Sequence, residues 1–386
     1  MAVSINQDIH WVGAIDWNIR NFHGYSTERG TSYNAYLIKD EKTVLIDTVK
    51  ADLYPQLLKN IRQLIDLEEI DIIISNHVEM DHSGSLPLLL EKIPGVEVIS
   101  SKKGAEGLRA HYGSELEITT VNDGDSLSTG NRELHFLLTP MVHWPDNMVT
   151  LMTPDQILFS NDAFGQHLAS TARFNDQLPA AIVMEEARKY YSNIVLPYGR
   201  QVERVLKRAG GLEIKTIAPS HGLIWRKNLG EILEKYQEWA TYTPEERALV
   251  VYDTMWGSTE RIARALMQAF AEMDIPAELM SLNKNHISNI MSSLIRAKYV
   301  CLGSPTLNKG YLPSMGALLT YLSGLAPENK IGLAFGSYGW GGQSIKKIHA
   351  QLEDCGFEMM DDISCSYVPE EEELEKMTER VKEMIK

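Results

Sequence analysis

Between His77 and His82 the chain reads HVEMDH, which places two histidines, a glutamate and an aspartate within six consecutive positions. Imidazole nitrogens and carboxylate oxygens are ligands for zinc or iron, and a carboxylate can bridge two ions. Such a cluster is either a metal site or a charged surface loop, and a metal site here would serve either hydrolysis or redox chemistry. Six positions cannot close a two-metal site, so further ligands must come from later in the chain. His143 in MVHWPD, Asp162 in FSNDAFGQH and His221 in APSHG each follow an apolar, strand-like run, where side chains leave a sheet and meet in a crevice. If HVEMDH forms a loop after the strand DIIIS, the alternate residues His77, Glu79 and Asp81 are expected to converge on one side, with His82 turned slightly away. Any one of these residues alone reads most simply as a solvated or core polar group. The cluster followed by three more strand-end ligands reads as a metal centre.

A second chemistry is carried by YDTMWGSTERIA, where a strand runs straight into a helix. The hydroxyls of Thr254, Ser258 and Thr259, with backbone amides around Gly257, can cradle a phosphate at the positive end of that helix. The GK[ST] ending of a Walker loop and the GxGxxG of a dinucleotide fold are both missing. A phosphate monoester such as that of FMN suits the loop, with Met255 and Trp256 beside it. Two later loops also lie at strand ends: Ser304, Pro305, Thr306, Leu307 and Asn308, then Ser337, Tyr338, Gly339, Trp340, Gly341 and Gly342. Their small residues let backbone approach a planar ring, on which Trp340 or Trp256 can stack. In doubly wound sheets ligands sit outside the carboxyl ends of the strands, and flavodoxin with FMN is a worked instance of that rule.

The elements that must position these groups fall into two rhythms. The first half carries short β-type runs such as SYNAYLIKD, KTVLIDTV, IDIIISN, ELHFLLTP and QILFSND, many separated by turn residues, for example Lys39-Asp40-Glu41 and Asn122-Asp123-Gly124. Helical patterns interrupt them at residues 53–64 and 185–196. Strands from two sheets with helices outside suit a four-layered αββα arrangement. An amphipathic segment over 229–239 leads into ATYTPEER, where Thr243-Pro244-Glu245-Glu246 reads as a cap opening a short turn, and the domain boundary is placed there: residues 1–246 and 247–386. Beyond Ala248 strands and helices alternate regularly, with helices expected at 258–273, 287–296, 315–323, 344–355 and 370–385. That alternation means a parallel sheet with helices on both faces.

Composition bounds the class. With 386 residues, 44% hydrophobic and 23% charged, the chain is expected to form a soluble protein of two or three cores. No apolar run is long enough for a bilayer, and no basic-then-apolar leader opens the sequence. A net charge of −15 argues against nucleic acid and anionic membrane as partners. The three cysteines, Cys301, Cys355 and Cys365, form no CxxC pair, which suits a reducing cytoplasm and excludes a cysteine-ligated metal site.

HxExDH, His143, Asp162 and His221 together resemble the metallo-β-lactamase-like domain of the flavodiiron proteins, and the second half resembles a short-chain flavodoxin. The resemblance runs from WVGAIDWNIRNFHG near the start through the second domain. It implies an α+β fold of αββα layers followed by an α/β, doubly wound flavodoxin-like domain. It also implies that His77, Glu79 and His143 hold one iron, that Asp81, His82 and His221 hold the other, and that Asp162 bridges them. His23 and Tyr190 match positions lining the family's substrate pocket, where each would donate a hydrogen bond to a bound diatomic; His167 reads as structural. The hydrolytic branch of the superfamily usually carries HxHxDH. Glu79 in place of the middle histidine makes the site harder and more anionic, and favours iron redox cycling over a zinc-hydroxide nucleophile.

The expectation is therefore a cytoplasmic oxidoreductase that reduces O2 to water, NO to N2O, or both, with one FMN and two irons per chain. Electrons would pass from an external donor through FMN to the di-iron pair. No rubredoxin module or NAD fingerprint is visible, and the resemblance implies rubredoxin or reduced coenzyme F420 as donor. It implies, too, a head-to-tail homodimer or a dimer of dimers. Two other readings stand beside it: a di-metal hydrolase whose flavodoxin-like domain is regulatory, and a non-catalytic FMN electron carrier.

Overall fold

The run Ile72-Ile73-Ile74 is apolar throughout because the strand that contains it, Ile70–Ser75, is covered on both faces. In the computed structural model, which describes residues 1–385, this strand sits inside a seven-stranded sheet. Its neighbours are Thr43–Ile46 and Glu97–Ser101, both parallel to it. Ile72 and Ile74 join Ile46 and Ile99 in a core shared with Phe136, Met148, Met152 and Phe159 of a second sheet. Ile73, Leu45 and Val98 point the other way, onto Leu57, Ile61, Leu86, Leu89 and Leu108 from helices outside. Fully burying each such isoleucine contributes roughly 1.5–3 kcal/mol, so alternation of faces along one strand stabilises two layers at once.

The second sheet has five strands, Ser126–Ser128, Glu133–Leu138, Met148–Thr153, Ile157–Asn161 and Thr216–Pro219 in that order. The first four pair antiparallel, and the last runs parallel to Ile157–Asn161. Its outer face shows Val149, Leu151 and Leu158, packed with Leu212 and Ile214. These are the four layers expected from the sequence.

The chain divides into two compact units. One comprises Met1–His23, Thr27–Tyr191 and Arg200–Gln237; the other comprises Gly24–Ser26, Ser192–Gly199 and the chain from Glu238 onward. In the second unit the strands Ala277–Ser281, Glu245–Tyr252, Ala297–Gly303, Ile331–Tyr338 and Glu358–Met359 lie side by side in that order, all parallel, with Ile363–Ser366 also pairing Ile331–Tyr338. Val250, Cys301 and Leu333 face Ile262, Leu266 and Phe270 of the helix Ser258–Glu272, and Val381 of Glu371–Ile385. Leu249, Val251, Val300 and Leu302 on the opposite face are buried as well, so the sheet is doubly covered. The two short segments taken from before residue 200 are tied into this unit by polar contacts. Ser26 Oγ lies 2.9 Å from Ser288 Oγ, and Asn193 donates to the Ser288 carbonyl at 3.0 Å.

Two local expectations are corrected. The helix expected at 185–196 begins earlier, as Ala180–Tyr190 after Pro179, and then widens into a π-type turn over Tyr191–Val195. Pro197 has no N–H to continue the α ladder, so the helix does not extend past this turn. Thr243-Pro244-Glu245-Glu246 opens no helical turn: Glu245 begins the strand Glu245–Tyr252. Its amide donates to the Arg296 carbonyl at 2.7 Å and its carboxylate takes both Nε and Nη2 of Arg296, so sheet pairing claims the residue.

Candidate metal centre and flavin site

Strand ends bring the metal candidates together. Ile70–Ser75 delivers His77 and Glu79 into a loop, after which Met80–Ser83 makes one helical turn. Ile157–Asn161 and Thr216–Pro219 run parallel as neighbours, so Asp162 and His221 leave adjacent strand ends. His143 comes from the connection between Glu133–Leu138 and Met148–Thr153. The side chains form two groups within ligand reach: His77, Glu79, His143 and Asp162 in one, Asp81, His82 and His221 in the other.

Asp162 stands between the groups, with one oxygen facing each. Its Oδ2 lies 3.2 Å from His143 Nε2 and 3.6 Å from His77 Nε2. Its Oδ1 lies 3.1 Å from His82 Nε2 and 3.4 Å from His221 Nε2, and accepts from Ser220 Oγ at 3.0 Å. Asp81 faces the same second group, 3.3 Å from both His82 and His221. His82, expected to turn aside, points inward. The helical turn after Glu79 rotates it there, and its carbonyl is held by the amide and the hydroxyl of Thr48 at 2.8 and 2.6 Å.

Contacts on the far side of the imidazoles fix which nitrogen faces in. His77 Nδ1 lies 2.9 Å from Asp146 Oδ2, and His221 Nδ1 donates to the Ser32 carbonyl at 2.9 Å. Both therefore turn Nε2 to the cluster. Asp146 also accepts the Val78 amide at 2.8 Å. Sequence reasoning missed Asp146; its one signal was an acid three residues after His143 in HWPD.

The donor set fits a pair of cations. Both carboxylate oxygens of Asp81 and both ring nitrogens of His82 are buried without a hydrogen-bond partner, an arrangement costly for ordinary polar groups and normal for metal ligands. Burial would lower His82, yet the carboxylates of Asp81 and Asp162 overcome it and push it up to about 9. Burial would raise Asp162, but the surrounding histidines, His82 foremost, hold it well below the usual carboxylate range. The pocket is thus built for positive charge that the protein itself supplies only by protonating imidazoles. The two pocket candidates differ in exposure. His23 Nε2 lies 3.2 Å from Glu79 Oε1 with a side chain 73% exposed, which puts it at the rim. Tyr190 is buried, its ring 5.7 Å from that of His221 and 5.1 Å from that of His167. His167 Nδ1 lies 2.8 Å from the Thr31 hydroxyl, as a structural histidine would.

In the second unit, the three candidate loops follow Glu245–Tyr252, Ala297–Gly303 and Ile331–Tyr338, which are neighbours in a parallel sheet, and so gather at one edge. Gly257 adopts φ 89°, a left-handed conformation that favours glycine, and starts Ser258–Glu272 without any side-chain cap. The first-turn amides thereby stay directed at the loop, where an anion is favoured. Thr254 Oγ1 accepts the Gly257 amide at 3.0 Å, and Thr259 Oγ1 lies 3.2 Å from Ser337 Oγ. Ser304 serves the loop itself: its hydroxyl accepts the Leu312 amide at 3.0 Å. Trp256 and Trp340 are 93% and 97% exposed, so two indole faces stand free of protein packing beside these loops. An uncapped helix start, small residues and free indoles fit a flavin mononucleotide.

Fold and donor set together define a metallo-β-lactamase-like metal unit joined to a flavodoxin-like unit. Residues 31–222 match the ODP family beta lactamase and residues 250–380 match flavodoxin. The chain is 42% identical to a nitric oxide reductase from Moorella thermoacetica over 384 residues, covering 98% of this chain and 96% of that one. Among solved structures, rubredoxin oxygen:oxidoreductase from Desulfovibrio gigas superposes with a TM-score of 0.96 at 39% identity, covering 100% of this chain and 98% of that one. The flavodiiron protein from Giardia intestinalis gives 0.97 at 33%, covering 100% and 96%. The chain belongs to the flavodiiron proteins.

Proposed function

We propose that the chain is a cytoplasmic flavodiiron oxidoreductase that reduces O2 to water, NO to N2O, or both. No described helix is long and apolar enough to cross a membrane, in keeping with that compartment. The di-iron domain is the unit that ends at Gln237, and the FMN domain is the unit that takes the chain from Glu238 onward, so the boundary lies before residue 246, where the sequence suggested it. His77, Glu79 and His143 would hold one iron and Asp81, His82 and His221 the other, with Asp162 shared between the two groups. Thr254, Gly257, Ser258 and Thr259 would hold the FMN phosphate, and the loops of Ser304–Asn308 and Ser337–Gly342 would receive its ring. The observation that carries this reading is the split of Asp162, one oxygen toward each donor group, in a set where Glu79 supplies a carboxylate. When bound, FMN and the two irons supply one-electron steps between an external donor and a bound diatomic.

The protein's own residues hold and orient. Asp146 and Ser32 present His77 and His221 through Nε2, His23 offers an N–H at the rim, and Tyr190 offers a hydroxyl from the buried side. That hydroxyl stays protonated, because burial and the carboxylates around it raise it well above the ordinary tyrosine range. The relatives named for nitric oxide reduction and for rubredoxin-linked oxygen reduction support both gases, and rubredoxin as donor; reduced coenzyme F420 is the other donor considered. The assembly proposed is a head-to-tail homodimer, alone or paired into a dimer of dimers. The test is metal and flavin analysis of purified protein, followed by anaerobic mixing of the reduced form with O2 and with NO. The expected result is two irons and one FMN per chain and oxidation by at least one gas. Two zincs with hydrolytic turnover, or FMN alone with no gas chemistry, would overturn it.

A further inference from the structure

Between the outer face of the five-stranded sheet and the helices Gly199–Ala209 and Leu229–Ala240 lies a cavity of about 150 Å³. Val149 and Leu158 line it from the sheet, Val202 and Leu206 from the first helix, and Leu233 from the second. Most polar groups at its wall are already engaged, Thr139 being the other one there. Ser160 Oγ donates to the Ala163 carbonyl at 2.7 Å, Arg208 binds Asp123 at 2.9 Å, and the Tyr236 hydroxyl accepts the Phe164 amide. A water inside would find few partners, and apolar cavities of this size take up benzene or xenon.

The cavity's position gives it an occupant. Its wall includes Val142, which directly precedes His143, and Ala163 and Phe164, which directly follow Asp162. The loops that carry two of the metal candidates thus separate the cavity from the centre. Uncharged diatomics leave water for hydrocarbon surroundings as other apolar solutes do. We propose that this cavity is a docking chamber for the neutral diatomic substrate of the adjacent centre, a reading that rests on the function proposed above. Substrate would reach the His143 and Asp162 side from the protein interior as well as from the rim at His23.

Xenon is the probe, since it is apolar, inert and visible in diffraction. Crystals of the wild-type holoenzyme pressurised with xenon should show density bounded by Leu158, Val202 and Leu206. In solution, xenon should raise the apparent KM for O2 and for NO with pressure while leaving kcat unchanged. Val202→Phe and Ala209→Phe, which fill the cavity, should abolish the xenon density. Each should raise KM by about three- to tenfold at unchanged kcat, iron and FMN content, the signature of lost substrate binding. An empty cavity under xenon, or filled variants with wild-type KM, would overturn the chamber. Xenon density is read without turnover, so an empty cavity in an active enzyme overturns the chamber alone. A filled cavity in an enzyme inert to both gases overturns the function and, with it, the assignment of the chamber to substrate.

Discussion

The Nδ1 of His77 lies 2.9 Å from a carboxylate oxygen of Asp146, and this contact turns Nε2 toward Glu79 and Asp162. Asp146 is buried, and its other accepted hydrogen bond comes from the Val78 amide, so one carboxylate fixes both the ring and the loop that carries it. Asp146→Asn keeps the shape and removes the charge. It should weaken iron retention by about 10–100-fold, the usual effect of losing such a supporting carboxylate. Titration of the purified variant with a chelator reads this directly. Retention equal to wild type would mean that Asp146 only shapes the loop.

Glu79→His recreates HxHxDH and removes one negative charge from the donor set. Zinc should be retained better than in the wild type, and turnover with O2 and NO should be lost. Metal analysis of protein grown with both metals, alongside gas-consumption rates, tests both halves. Unchanged iron loading and rate would show that this carboxylate does not select the chemistry.

In the second unit Lys330 is buried, its ammonium donating to the Ile295 carbonyl at 2.9 Å. Burial drives its pKa down from 10.5 to about 7. The unfolded chain keeps that proton up to about 10.5, so between 10.5 and 7 it binds more protons than the folded one. Falling pH therefore favours unfolding across that window, and below it the penalty stops growing. Lys330→Met should gain on the wild type by on the order of 1–3 kcal/mol as pH falls from 9.5 to 7.5. Urea unfolding followed by flavin release at several pH values measures the difference. A gap between the two proteins that stays flat with pH would contradict the assignment.

Head-to-tail pairing is tested by joining two crippled chains. One carries Asp162→Ala, and the other carries Ser258→Asp and Thr259→Asp, which repel a phosphate. If FMN of one chain serves the metals of the other, the mixed dimer has one working pair, and about half of the wild-type rate per dimer should return, less any coupling between sites. Mixed dimers that bind iron and FMN at their intact sites yet stay inactive would exclude that arrangement.

The grouping of candidate ligands was legible because their chemistry is written in residue type. His77, Glu79, Asp81, His143, Asp162 and His221 are polar groups at the ends of apolar runs, where a sheet must expose its loops. The four layers were legible for a related reason, since Ile72-Ile73-Ile74 needs cover on both sides. What was not legible depends on winding and on distant partners. The inward direction of His82 follows from one helical turn, too short to leave a periodic signal. Asp146 gains its role only because folding brings its loop beside His77, 69 residues earlier in the chain. Glu245 looked like part of a cap until Arg296 and the neighbouring strand claimed it.

The strand Ile70–Ser75, sealed on both faces, has a further consequence for the loop that leaves it. Packed interiors yield little to force, so the donor atoms of His77 and Glu79 hang from a nearly immovable mount. When charge at the pocket changes by a single electron, atoms held in this way shift only slightly. Transfer of an electron is fastest where old and new charge states share almost the same geometry. The isoleucines that never touch a metal would thus help set how quickly the centre can be charged and discharged.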